Sequence, residues 1–266
     1  MAHIQPNQQS EEHRNAIASH VQRLIMKCFS YEVFAFGSVP LKTYLPYGNI
    51  DLTAFSSNHN VKDCWAFKMR DILESEGKNE EAEFHVKEVQ CIQSEVKSIK
   101  CLVENIVVDI SFNQLGGLCT LCFLEEIDNL IRRNHIFKRI IILIKAWCYY
   151  ESCLLGASHG LISTYALETL VLYIFNVYNN TFAGPLEVLY QFPEFFNKFD
   201  WDNYCLSLWG PVPISSLPNI RTQPPVESMC IKTREKAHDR SHARAWKFLI
   251  VPCSMQVKLG GRPGVE

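Results

Sequence analysis

The chain has 266 residues, 47% of them hydrophobic and 20% charged, with a formal net charge of −2 at pH 7. That is enough apolar material for the packed core of one large domain or two modest ones, and it excludes a global basic field. Any contact with nucleic acid must therefore come from local clusters.

Residues 11–29 read as a helix, with Ala16, Val21, Leu24, Ile25 and Cys28 at three- and four-residue spacing. The first thirty residues are polar and then amphipathic, with no apolar run of the kind a secretory leader needs. A β-rich region follows: EVFAFGS, NIDLTAFS and two strands in FHVKEVQCIQSEVKSIKCLVENIVVDISF. Lys97 to Val103 and Ile106 to Phe112 are separated only by Glu104-Asn105, which predicts a tight hairpin. A helix between Val61 and Gly77 is expected to cover one face of the sheet.

From about Phe123 the period becomes helical, over 123–133, 135–150 and 160–178. GLISTYALETLVLYIF (160–175) is the most apolar of these, yet too short to span a bilayer comfortably and interrupted by Glu168, so it reads as a buried helix. Pro185, Pro193, Pro211, Pro213 and Pro218 punctuate a less regular stretch with short helices, and KLGGRPGVE reads as an unstructured end. The order of helix, small mixed sheet and helical bundle predicts a two-lobed α+β protein. Of the 11 cysteines, Cys28, Cys91, Cys101, Cys148 and Cys205 sit singly, which fits buried thiols in a reducing compartment. Cys119-x-x-Cys122 lacks a second ligand pair, so packing is expected there rather than zinc. The chain reads as intracellular and without a membrane partner.

The chemistry-bearing residues begin at Gly37-Ser38. A glycine that lets backbone approach a ligand, followed by serine at a helix start, aims N–H groups at an anion. After ten further residues comes Asn49-Ile50-Asp51-Leu52-Thr53, where strand alternation places Asn49, Asp51 and Thr53 on one face. Side chains at i and i+2 lie roughly 6.6 Å apart along a strand. Two acids at that separation bracket a pair of divalent ions about 3.5–4 Å apart. Asp109, alone among the Ile and Val of IVVDIS, is the candidate third acid, although a solvent-facing position would explain it singly.

Together FGSVPLKTYLP, NIDLT and VVDISFNQLGGL resemble the DNA polymerase β-like nucleotidyltransferases, and within them the terminal nucleotidyltransferases of the poly(A)/poly(U) RNA-tailing type. The wording is most similar to a plant group with a poly(A)-polymerase/oligoadenylate-synthetase-type substrate-binding domain. The resemblance runs from about residue 15 to about residue 218. It implies a nucleotidyltransferase lobe over 31–120, a helical substrate-binding lobe from 1–30 plus 121–218, and a divergent tail over 219–266, partly disordered. It further implies that Asp51 and Asp109 hold Mg²⁺ or Mn²⁺, and that Gly37, Ser38 and Lys145 contact phosphates. Thr164 stands for a phosphate-contacting hydroxyl and Tyr165 for the tyrosine stacked on the base. The partners implied are an NTP and an RNA 3′ end, with room for protein partners, in the nucleus or the cytoplasm.

The chain departs from that pattern at three places. Asn49 occupies the position of the first acid, and the lost charge is worth about 3–5 kcal/mol in the transition state, or about 10²–10⁴ in rate. Tyr47 stands where the plant group usually has an acid, and Tyr149 where the family often has a second base. Nothing after Leu217 resembles the base-reading segment; instead Lys232, Arg234, Lys236, Arg240, Arg244 and Lys247 form a locally basic run, read mainly as solvated surface. The expectation is an RNA-tailing nucleotidyltransferase of impaired activity; the alternatives are a non-catalytic homologue that binds RNA, nucleotide or protein, and a structural remnant.

Overall fold

The computed structural model describes residues 4–29, 31–56, 64–93, 97–156, 161–178, 181–207, 210–216, 230–231 and 248–249. The chain divides into two compact units, Met1–Ile142 and Leu143–Glu266.

In the first unit the side chain of Asn7 accepts a hydrogen bond from Ser10 N (2.8 Å) and starts α1 (Gln8–Cys28). Ile17, Val21 and Ile25 recur every four residues and are fully buried. Five strands follow: β1 (Glu32–Phe36), β2 (Ile50–Phe55), β3 (Val86–Ile92), β4 (Ser98–Val103) and β5 (Ile106–Phe112). Their order across the sheet is β1-β2-β5-β4-β3. Only β2 and β5 pair in parallel, so the chain leaves β2, crosses through α2 (Trp65–Glu76) and returns by way of β3 and β4.

The predicted hairpin is present: Glu104 (φ 47°) and Asn105 (φ 63°) form a two-residue turn with both central residues left-handed. One sheet face, with Ile50, Leu52, Ile99, Cys101, Val108 and Ile110, is buried in one core with α1, Trp65, Met69 and Leu73. Sequence reading placed α1 with the helical lobe; its apolar stripe lies in the core of the sheet instead.

Two further boundaries differ from the sequence reading. Helix α3 runs Leu115–Ile131, beginning eight residues before Phe123. The Gly116-Gly117 pair reads as a helix breaker, but a Cβ on Gly117 would stand 2.4 Å from the Phe36 ring, so a glycine is what lets α3 approach β1. The start of α3 is also tied to β2, because Gln114 N donates to Thr53 Oγ1 (3.1 Å). Helix α4 (Ile136–Ala146) continues into a π-turn, Trp147–Glu151.

In the second unit Ser163 caps α5 (Thr164–Val177), its hydroxyl accepting from Ala166 N (3.1 Å). Among the described residues the Pro-punctuated stretch forms one long helix, α6 (Pro185–Lys198), with Pro185 in its first turn and Pro193 inside it, and one short 3-10 turn, Ile214–Ser216. Val188, Phe192 and Phe196 bury its inner face, and Trp201 Nε1 donates to Phe196 O (2.9 Å). A second sheet, unanticipated from sequence, has the order β7-β6-β9-β8, formed by β6 (Tyr204–Ser207), β7 (Gly210–Pro213), β8 (Cys230–Ile231) and β9 (Phe248–Leu249). Within the proposed tail only β8 and β9 are described; the basic run from Lys232 to Lys247 and the KLGGRPGVE end lie outside the described residues.

Cys101, Cys148 and Cys205 are buried free thiols, while Cys28 is exposed, since its position closes the solvent-facing last turn of α1. Burial pushes the thiols of Cys101 and Cys148 up to about 12, which leaves them protonated and unreactive. No described helix is long and apolar enough to cross a membrane.

Candidate active site

The backbone turns sharply at Gly37, which adopts φ +75°. No regular helix follows. Leu41 N donates to Gly37 O (3.3 Å) and Thr43 N to Ser38 O (2.9 Å), closing a single turn in place of the helix expected from Gly37-Ser38. A Cβ on Gly37 would lie 2.6 Å from Asp51 Oδ2, so the absence of a side chain brings the carboxylate against the turn.

The loop between that turn and β2 is held from α1. Lys42 Nζ pairs with Glu11 (2.7 Å). Arg14, buried, donates to Pro46 O (2.7 Å) and Gly48 O (3.4 Å), and its guanidinium lies 4.5 Å from the centre of the Tyr44 ring. Half-buried Asn49 comes immediately before β2, and Tyr47 is 83% exposed.

Strand register then assembles a row across all five strands. Phe36 pairs with Asp51, Asp51 with Asp109, Asp109 with Lys100, and Lys100 with Gln90. Residues directly opposite on neighbouring strands share a face at about 5 Å, so the two carboxylates stand side by side. Lys100 Nζ lies 3.3 Å from Asp109 Oδ2, the cation that offsets their repulsion. Sequence reading found the acids and missed Lys100. The signal was there: counting back from the Glu104-Asn105 turn pairs Val103 with Ile106 and hence Lys100 with Asp109.

Gly37, Ser38, Asp51 and Asp109 therefore come together in the first unit. Lys145, Thr164 and Tyr165 belong to the second. Lys145, in the last turn of α4, is buried, with Nζ 3.6 Å from Glu168 Oε1. Desolvation raises the Glu168 carboxyl above its ordinary range, and Lys145 opposes that shift. Thr164 is exposed at the first position of α5 and Tyr165 is half-buried beside it. Ser163, not singled out from sequence, is the residue that caps that helix. Tyr149 is half exposed, its ring edge-on to Tyr150.

Asp51 and Asp109 supply hard oxygen donors, and Asn49, two residues before Asp51, carries a neutral amide rather than a third carboxylate. This set fits a Mg²⁺-sized ion that completes its shell with substrate phosphates and water, at one negative charge fewer than three acids would give. Among the described residues no group of three His, Cys, Asp or Glu side chains forms a metal cluster by itself.

Two protein families match consecutive parts of the chain. The family described as "Poly(A) RNA polymerase, mitochondrial-like, central palm domain" matches residues 1–124. The PAP/OAS1 substrate-binding domain family matches residues 131–242. Part by part, the chain is similar to poly(A) RNA polymerase-type nucleotidyltransferases. A curated relative, Poly(A) RNA polymerase cid14 of Schizosaccharomyces pombe, is 24% identical over 204 residues, covering 74% of this chain. The chain spans 29% of the length of that relative.

Among solved structures, the Cid1 poly(U) polymerase bound to MgGTP superposes with a TM-score of 0.67 at 16% identity, covering 79% of this chain and 76% of its own. The polymerase core of TRAMP, an RNA surveillance complex, gives 0.64 at 19% identity, covering 81% and 68%. The fold shared with both is the α+β polymerase β-like one.

Proposed function

We propose that the protein is an RNA 3′-terminal nucleotidyltransferase that moves nucleotides from an NTP to an RNA 3′ end, at a rate lowered by Asn49. The observation that carries this is the register of Asp51 with Asp109 on adjacent parallel strands, beneath a turn opened by Gly37. The nucleotide bound to Cid1 supports an NTP as substrate, and the polymerase core of TRAMP supports work within a protein assembly.

In this reading Asp51 and Asp109 hold Mg²⁺ or Mn²⁺, which when bound supplies Lewis-acid stabilisation of phosphoryl oxygens. Gly37 and Ser38 present backbone N–H groups and a hydroxyl to phosphates. Thr164 offers a hydroxyl at the start of α5, Tyr165 a ring for the base, and Lys145 a positive charge for the triphosphate once it exchanges Glu168 for that anion. The nucleotidyltransferase lobe takes in α1 together with 31–120, the helical lobe is 121–218, and the protein works in the nucleus or cytoplasm. These assignments rest on the family pattern.

The test is incorporation of labelled NTP into an RNA primer with Mg²⁺ or Mn²⁺. Extension that disappears with Asp51→Ala is the expected result; extension indifferent to that change sinks the site. Asn49 also favours a second reading, a homologue that binds RNA, nucleotide or protein without catalysis. No extension by wild type, with extension by Asn49→Asp, would establish that reading.

A further inference from the structure

Lys100 projects from β4 into the row that holds both acids, and no part of the proposed chemistry uses it. It stands opposite Asp109 in the β4–β5 register, with its ammonium 3.3 Å from Asp109 Oδ2. Asp109 in turn stands opposite Asp51. The local charge of this row is therefore one positive against two negatives, and Asn49 adds none.

We propose that Lys100 sets the divalent-ion affinity of the site: its ammonium competes with the ion for Asp109, and the ion binds by displacing it. The inference rests on the reading of Asp51 and Asp109 as ion ligands. Two arguments carry it. A carboxylate oxygen at salt-bridge distance from an ammonium has part of its negative charge already offset, so a cation gains less there. In addition, directly opposed carboxylates destabilise a sheet unless a cation offsets them, which gives Lys100 a purpose in the ion-free protein that conflicts with loading. Lys100 and Asn49 thus act in the same direction, each lowering the negative charge available to a cation. The side chains of Lys100 and Asp109 are 43% and 23% exposed, so the ammonium has solvent to swing into when the ion arrives.

The experiment is Mn²⁺ titration of the full chain, followed by electron paramagnetic resonance of the free ion, without nucleotide or RNA. Lys100→Met keeps the aliphatic stem and removes the charge; it is expected to tighten Mn²⁺ binding about tenfold. Lys100→Arg is expected to stay near wild type, and adding Asp109→Asn to Lys100→Met is expected to erase the gain.

Thermal unfolding gives an independent reading. Ion-free Lys100→Met should melt below wild type, and saturating Mn²⁺ should raise its Tm by more than it raises that of wild type. Unchanged or weaker binding by Lys100→Met, while Asp51→Ala abolishes binding, would overturn the role of Lys100 and leave the ion site standing. Mn²⁺ binding indifferent to both Asp51→Ala and Asp109→Asn would overturn the ion site and this inference together. Lys100→Gln, shorter and polar, repeats the test should the methionine variant fold poorly.

Discussion

Asp51 is pinned between a glycine and a second carboxylate, and each neighbour makes a separable contribution. Gly37 holds φ +75° and has no room for a Cβ beside Asp51 Oδ2. Gly37→Ala therefore strains the backbone and pushes the carboxylate out of register; it should cost about 1–2 kcal/mol of stability, read from urea midpoints. Its effect on primer extension should exceed that on stability, because a small misplacement of a reacting group costs about 10²-fold. Asn49→Asp acts by charge alone and should raise the extension rate by about 10²–10⁴ at saturating Mg²⁺. An unchanged rate would mean that the missing acid does not limit the chemistry. At this scale the acids were legible from strand alternation, and the Lys100 pairing followed from a two-residue turn. The close approach of Gly37 to Asp51 was not, since it depends on the path of the β1–β2 loop held by Arg14 and Lys42.

Helices α4 and α5 are joined by Lys145 and Glu168, a buried ion pair that sequence reading divided into a phosphate ligand and a core-helix acid. Periodicity places a residue on the inner face of a helix, but which buried charge meets which is settled only by the packing of two helices. Lys145→Met strands a buried carboxylate and should cost about 3 kcal/mol, whereas Lys145→Met with Glu168→Leu should recover most of it. A double-mutant cycle in urea measures the difference.

The same pair has a pH signature. The folded Glu168 carboxyl is raised above 4.5, so its contribution is full below that pH and is lost as the pH rises through the folded value. Wild type should therefore lose stability relative to Glu168→Gln as the pH rises from 4.5 through the raised folded value; a gain on that rise would mean that Lys145 outweighs the desolvation. The early start of α3 belongs to this scale as well. A Gly pair argues locally against helix, and only contact with Phe36 reverses that preference. The second sheet escaped notice because its strands are two to four residues long and β6 pairs with the distant β9.

For the whole molecule, the formal charge of −2 limits how RNA is held. The palm and substrate-binding families match consecutive parts of the chain, and neither part brings a long-range basic field to the other. Under the proposed function RNA is bound through a few local phosphate contacts, and single-strand binding then varies with salt by about 0.7 per phosphate on logarithmic axes. Three contacts give a slope of about −2, so raising salt from about 50 to 200 mM should weaken binding of a short RNA by about 20-fold. Fluorescence anisotropy of a labelled oligonucleotide measures this directly. A slope steeper than about −5 would require an extended basic track, with Lys232 to Lys247 as the segment to neutralise next. A shallow slope with measurable affinity would place more of the binding in stacking on exposed rings, of which Tyr47 and Tyr149 are two among several. Replacing either by alanine would then weaken RNA binding without changing the salt slope, which separates a stacked base from a held phosphate.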